Sequence, residues 1–422
     1  MLKYIVNINC YSSKIGQKEY GYNFFIFVVV FFLASTSFPS FRFLSHYDFL
    51  LLPYIWHVIT KKHYHIPKIV YNVLLFISLF SAVHVALGHL TAVGGITFVL
   101  SMAVALYASV MMKRTFVEVF IKVMKFFAIT SLIIWLFVVL IPGMHSLLSK
   151  FALNLPQMIS EEWLDKTSNE GISLYIYYLP TNMTTAYTSF IRNNGPFYEP
   201  GLFASYLNIA LAFNICKNRR LLDKDNIMLI LAILSTCSSA GYVSFLLIAV
   251  FSTFTQKKMI YKIITVIAIL ILWQPIMELD FMADKITANY DKAFDSSASR
   301  FGAVIYHWEK IQLSPLLGYA GGATPITHFD QMMAYRENLL SPNGLSYLFV
   351  YWGIPLALYF YLLMYSGLKE LVGDNEKGIS LWLFLVILST AFSQTITTSP
   401  FILTLVALSF TLTQNKYENC SC

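Results

Sequence analysis

The sequence predicts an all-α polytopic membrane protein with about twelve transmembrane helices and two long loops on one side. Three observations lead there. Apolar residues make up 57% of the 422 and charged residues only 12%, with a mean hydropathy of +0.63. A soluble chain carries about twice that charged fraction. Apolar runs recur along the whole length between short polar breaks, and Lys and Arg favour alternate connections. The formal net charge of +7 therefore reads as basic loops on the inner side of a membrane, with no nucleic-acid partner implied.

Residues 1–21 contain Lys3, Lys14 and Lys18 but no small-residue cleavage site after a short apolar core. They read as a retained cytoplasmic tail rather than a signal peptide. The spans then follow at 22–38, 45–60, 68–88, 90–112, 117–141, 200–216, 227–238, 240–255, 260–277, 344–368, 379–398 and 400–414. Several are shorter than the ~20 residues that cross the hydrocarbon as a helix. The pair 227–238 and 240–255 is broken only by Ser238-Ser239-Ala240-Gly241, so one kinked helix or a re-entrant hairpin also fits. Merging the pair into one span would put Gln256-Lys257-Lys258 outside, which favours two arms.

With both termini inside, only Arg42, Lys150, Lys166, Arg192, Lys285, Lys292, Arg300, Lys310 and Arg336 of the 29 basic residues lie outside. That bias supports the orientation. Two long connections, 142–199 and 278–343, then share the outer face of a single transmembrane domain covering 1–422. Paired long loops on one face are where function concentrates. Cys10, Cys216, Cys420 and Cys422 fall inside and Cys237 near the outer end of a helix, so no outer-loop disulfide is expected.

The chemistry-bearing residues cluster in those loops. Arg192-Asn193-Asn194-Gly195-Pro196-Phe197-Tyr198-Glu199-Pro200-Gly201 puts an Arg and a Glu in a Gly/Pro-rich turn that re-enters an apolar helix. Glu199-Pro200 suits a helix start, because Pro is tolerated there and a carboxylate favours the positive end of the dipole. The sequence admits a bland reading, a capped loop end. It admits a sharper one, half of a site for an anionic substrate. Earlier in the same loop Glu161, Glu162, Asp165 and Glu170 precede the aromatic run from Ile172 through Tyr175, Tyr177 and Tyr178 to Leu179. Tyrosines of this kind suit stacking on sugar rings and equally suit the membrane interface.

In the second loop, 297–313 predicts an amphipathic helix with Phe301, Val304, Ile305, Trp308 and Ile311 on one face and Arg300, His307, Glu309 and Lys310 elsewhere. It would rest in the interface plane, as a simple lid or with Arg300 at a lipid headgroup. Ser314 to Gly322 is a glycine-rich turn without a Walker or dinucleotide pattern. His328 reads either as a solvated loop histidine or as a catalytic one. Arg192, Arg300 and Arg336 put three guanidinium groups outside, and a converging set would bind a pyrophosphate bidentately. No acid lies at mid-bilayer and His84 and His89 sit towards the outer end of their span, which argues against a proton-coupled transporter. No HExxH spacing supports a metal hydrolase.

The stretch Arg192 to Ala204 resembles the R-x-x-G-x-F-x-E-P-G signature of Wzy-type O-antigen and capsule repeat-unit polymerases. Three further stretches fit in the same order: Ser235 to Tyr242 is similar to the T-x-S-x-x-G hairpin, Arg300 through Trp308 to Tyr319 to the R…W…P-L-x-G-x-G segment, and Asn343-Gly344 with Trp352-Gly353 to the N-x-x-x…G entry. The likeness covers 185–365. The related O-antigen ligases place a His where this chain has Pro342, a departure that argues against the ligase. The resemblance implies a GT-C-like, metal-independent glycosyltransferase with no cofactor, in the bacterial cytoplasmic membrane with its active face outside. Its substrates would be polyprenyl-diphosphate-linked oligosaccharides, its surroundings membrane lipid, and a chain-length regulator protein a possible partner. Arg192, Arg300 and Arg336 would hold the diphosphates, and Glu199 or, second, His328 would take the acceptor proton. A lipid-linked oligosaccharide flippase is the rival of a different class.

Overall fold

The computed structural model describes residues 51–61, 64–112, 115–150, 171–174, 176–180, 191–255, 300–322, 324–325, 343–372 and 377–418, with isolated positions at 259, 263 and 266–267. The expected span at 22–38 lies outside the described residues, as do all of 260–277 except 263 and 266–267, and His328, Arg336, Pro342 and the acidic cluster of the first long loop.

The chain is mostly helical. In order the helices are α1 (Leu52–Lys61), α2 (Lys68–Ala86), α3 (Ala92–Met112), α4 (Thr115–Leu140), α5 (Met144–Ser149), α6 (Pro200–Asn218), α7 (Lys224–Ser235), α8 (Ser239–Thr255), α9 (Arg300–Leu313), α10 (Gly344–Val372), α11 (Lys377–Ser393) and α12 (Pro400–Glu418). Two three-residue strands, β1 (Gly171–Ser173) and β2 (Tyr178–Pro180), form an antiparallel hairpin pairing Ile172 with Leu179. This hairpin departs from the all-α expectation. By length and apolar composition α2, α3, α4 and α10 can cross a membrane.

α6 is the centre of the bundle. Pro200 through Ile215 are all buried, and α4, α7, α8 and α11 pack on it. A helix that is apolar around its whole circumference has to be enclosed by others. Small residues permit the approach: a Cβ on Gly241 of α8 would sit 2.6 Å from the Cβ of Ala204. On the other side of the bundle, α12 packs between α3 and α10.

Polar contacts collect at two ends. At one, Lys217 Nζ lies 2.8 Å from Glu118 and Lys125 Nζ 2.5 Å from Asp225, while Asn214 donates to Asn226 at 2.7 Å. At the other, Asn193 of the loop entering α6 reaches Ser131 of α4 and Ser235 of α7. Glu118 and Ser131 are separated by thirteen residues of α4, or about 20 Å of helix. α4, α6 and α7 therefore alternate in direction between a charged end and a neutral polar end.

Three expectations need correcting. The span read as 344–368 is bent. Gly353 takes φ 72° and ψ 171°, and Tyr361 Oη donates to the carbonyl of Leu345 at 3.0 Å. Those residues would lie about 24 Å apart along a straight helix, so α10 is two arms, 344–352 and 354–372, folded back at Gly353. The 314–322 turn clamps the bend: Tyr319 and Ala320 donate from their backbones to Val350 and Tyr351, and Ile354 donates to Pro315. A Cβ on Gly353 would lie 2.5 Å from the Leu316 backbone.

The amphipathic helix exists as α9, but Ile311, read as part of its apolar face, lies inside with His307 and Lys310. His307, Lys310 and Ile311 are buried against α10, while Ile305 and Trp308 stand 51% and 54% exposed. Ile311 is thus on the inner face, not beside Trp308. His307 meets a hydrogen-bond partner inside, and the apolar face points away from the protein. The tyrosines of the first loop also differ from expectation. Tyr177 and Tyr178 are buried, Tyr177 packing with Leu179 and Val138, so neither anchors an interface nor stacks on a sugar. Burial pushes the Tyr177 hydroxyl up.

A buried polar cluster around Arg192 and Glu199

The loop 191–199 is locked from below. Asn193 donates from Nδ2 to Ser131 Oγ at 3.2 Å and to Ser235 Oγ at 2.9 Å, and its Oδ1 accepts from the Gly195 amide at 3.0 Å. Its own amide donates to the Ser235 carbonyl. Trp135 of α4 donates to the Ile191 carbonyl at 2.7 Å, and the hairpin joins through Tyr178, whose amide donates to Gly195. Phe197 drives into the core, stacked 5.6 Å from Phe203 and 5.1 Å from Tyr206. Gly195 has φ 54°, and a Cβ there would meet the Phe203 ring at 2.5 Å. The Gly and Phe of the motif are thus explained by packing, its Asn by satisfied backbone.

That scaffold presents the two charged residues. Arg192 is half-buried and donates from Nε to the Thr236 carbonyl at 3.1 Å, at the junction of α7 and α8. Burial holds its guanidinium below the usual arginine value, opposed by the negative charge of Glu199. Glu199 is the residue before α6, extended at φ −131° and ψ 131°, with Pro200 at the first helical position. Its side chain makes no cap hydrogen bond. The carboxylate turns instead towards the end of α11, where Gln394 Nε2 donates to Oε1 at 3.1 Å. The bland capping role is therefore not what the side chain does.

Around the pair the groups are neutral and polar. Ser238 Oγ accepts from the Gly241 amide, and Asn208 donates to the carbonyls of Ala204 and Gly241. Asn194, 3% exposed, donates to Tyr198, but its Oδ1 has no partner. Thr397 donates to the Gly344 carbonyl at 2.9 Å, and Asn343 Oδ1 accepts from the Ser346 amide at 3.1 Å. From Ser346 the network reaches α9, since its Oγ lies 2.7 Å from His307 Nδ1. Burial pushes the His307 imidazole down to about 4. Lys310, one turn further on, donates to the Pro325 carbonyl and lies 5.2 Å over the Tyr306 ring.

Of the residues singled out from sequence, Arg192 and Glu199 lie near enough for the Glu199 charge to act on the guanidinium, though the two form no ion pair. Arg300 opens α9, and its side chain, like His328 and Arg336 entirely, lies outside what is described. Sequence reasoning missed Gln394, Asn193 and His307. Gln394 stands in the hydroxyl-rich stretch Ser393 to Ser399 with no neighbouring charge, and only the fold carries it to a residue 195 positions away. Among the described residues no group of three His, Cys, Asp or Glu side chains could hold a metal. His84 and His89 face each other, Nδ1 to Nδ1 at 2.9 Å, beside Tyr319. No family model, curated protein or solved structure matches this chain.

Proposed function

We propose that this chain is a membrane glycosyltransferase that joins polyprenyl-diphosphate-linked oligosaccharide units into a longer glycan, O-antigen, capsule or exopolysaccharide, at the outer face of the bacterial cytoplasmic membrane. The observation that supports it most is the opposed pair Arg192 and Glu199, a cation and a carboxylate held in one buried polar cluster at one end of an apolar bundle. The order of the four motifs adds to it.

In this reading a hydroxyl of the incoming unit attacks the anomeric carbon of the growing chain. A new glycosidic C–O bond forms, and the bond from that carbon to the lipid diphosphate breaks. The bonding pair leaves on the diphosphate, where Arg192 offsets the developing negative charge in a water-poor site. The hydroxyl proton passes to the Glu199 carboxylate, which is then regenerated by release to solvent. Arg300 and Arg336 are proposed as further diphosphate contacts and His328 as the alternative base. No metal or organic cofactor is required by this scheme, and a chain-length regulator is a proposed partner.

The test is reconstitution of the purified protein in liposomes with a diphosphate-linked repeat unit, products resolved by length. A ladder that forms far more slowly with Glu199→Gln, at a residual rate that can still be measured, and about 100-fold more slowly with Arg192→Ala supports the reading. Transfer only to a lipid A core acceptor would make it a ligase. Movement of intact units without a new bond would make it a transporter and sink the enzyme.

A further inference from the structure

Gln394 is 1% exposed and sits in the break between α11 and α12. Glycines meet it at both its side chain and its backbone. A Cβ on Gly201 would lie 2.7 Å from the side-chain Nε2, and a Cβ on Gly344 would lie 2.5 Å from the backbone carbonyl oxygen of Gln394. The same carbonyl accepts from the Ile396 amide. Two glycines on two other helices thus leave a slot shaped for this residue. The direction of its amide follows from chemistry, because a carboxylate only accepts and must be met by the NH₂ end. Gly201 also leaves Glu199 room, a Cβ there being 3.2 Å from Oε1.

We infer that Gln394 is a positioning residue for Glu199. By donating to Oε1 it fixes the plane of the carboxylate and leaves Oε2 as the oxygen available to the acceptor hydroxyl. This inference rests on the proposed role of Glu199. A base held within a few tenths of an ångström retains its rate advantage, and one free to rotate loses it. The link also ties the start of α6 to the end of α11, so the base is oriented by a helix remote in sequence.

The experiment measures kcat and KM for the reconstituted full chain as wild type, Gln394→Leu, Glu199→Gln and the double variant, with Gly201→Ala crowding both ends of the same hydrogen bond, Gln394 Nε2 and Glu199 Oε1. Gln394→Leu should lower kcat by about 10- to 100-fold, the worth of one hydrogen bond to a charged group, with KM within about twofold. The double variant should be no slower than Glu199→Gln alone, because residues acting as a unit are not additive. Gly201→Ala should reproduce the kcat loss even if Gln394→Leu fails to fold. Wild-type kcat in the Gln394 or Gly201 variant, a change confined to KM, or losses that multiply in the double variant would overturn the inference while leaving the enzyme intact. A wild-type protein that forms no glycosidic bond would overturn the proposed function itself.

Discussion

Asn193 shapes the site more than its uncharged side chain advertises. It satisfies two hydroxyls and one backbone amide from 0% exposure. Asn193→Ala should therefore destabilise the fold by about 2 kcal/mol, the cost of stranding buried polar groups, and lower the melting temperature in detergent. An unchanged melting temperature would show that the loop is held without the Asn193 side chain. His307 makes a second residue-scale prediction. Its pKa in the fold is about 4 against an ordinary 6.5, so the unfolded chain binds the extra proton between those values. Stability should be complete above pH 6.5 and fall as pH drops towards 4. His307→Gln should flatten that slope in a pH series of melts; an identical slope would assign the acid sensitivity elsewhere. At this scale Glu199-Pro200 was legible as a helix start because Pro and a carboxylate have local reasons to be there. Gln394 was not legible, because its partner is set by tertiary contact.

The elements read from apolar runs recur as helices α1 to α4, α6 to α8 and α10 to α12, with boundaries within five residues of the expected ones except at the start of 45–60, which lies outside the described residues. What periodicity could not see was direction. A Gly-Ile-Pro sequence within an apolar run reads as a tolerated kink, whereas at 353–355 it reverses the chain. Gly353→Ala should be severely destabilising, since φ 72° with ψ 171° is a glycine conformation and Leu316 occupies the Cβ position. Loss of folded protein from detergent extracts is the readout, and normal yield would mean that the arms can reopen. α9 shows the same limit of pattern reading: the period was right, but which face turns inward depends on the surroundings. An apolar outer face on a helix that buries His307 and Lys310 is what a lipid environment favours. In proteoliposomes with brominated acyl chains, Trp308→Phe should remove part of the quenchable emission of the seven tryptophans. Quenching by aqueous acrylamide instead would place that face in water.

For the whole molecule, the decisive feature is that the ion pairs and the neutral polar cluster gather at opposite ends of α6 and α7, with Glu118 and Ser131 about 20 Å apart along α4. In cysteine-free protein, Gly143→Cys and Leu222→Cys should react with an impermeant maleimide from opposite sides of a sealed vesicle. Labelling of both from one side would break the alternation of α4, α6 and α7. Composition and hydropathy determine by themselves that the chain is mostly helical with helices apolar enough to cross a membrane. Those are sums over many residues against one solvent, and each residue contributes independently of its partners. The bend in α10 depends on its clamp by the 314–322 turn, the inward face of α9 on its packing against α10, and the meeting of Glu199 with Gln394 on the packing of α6 against α11; only tertiary contact decides these.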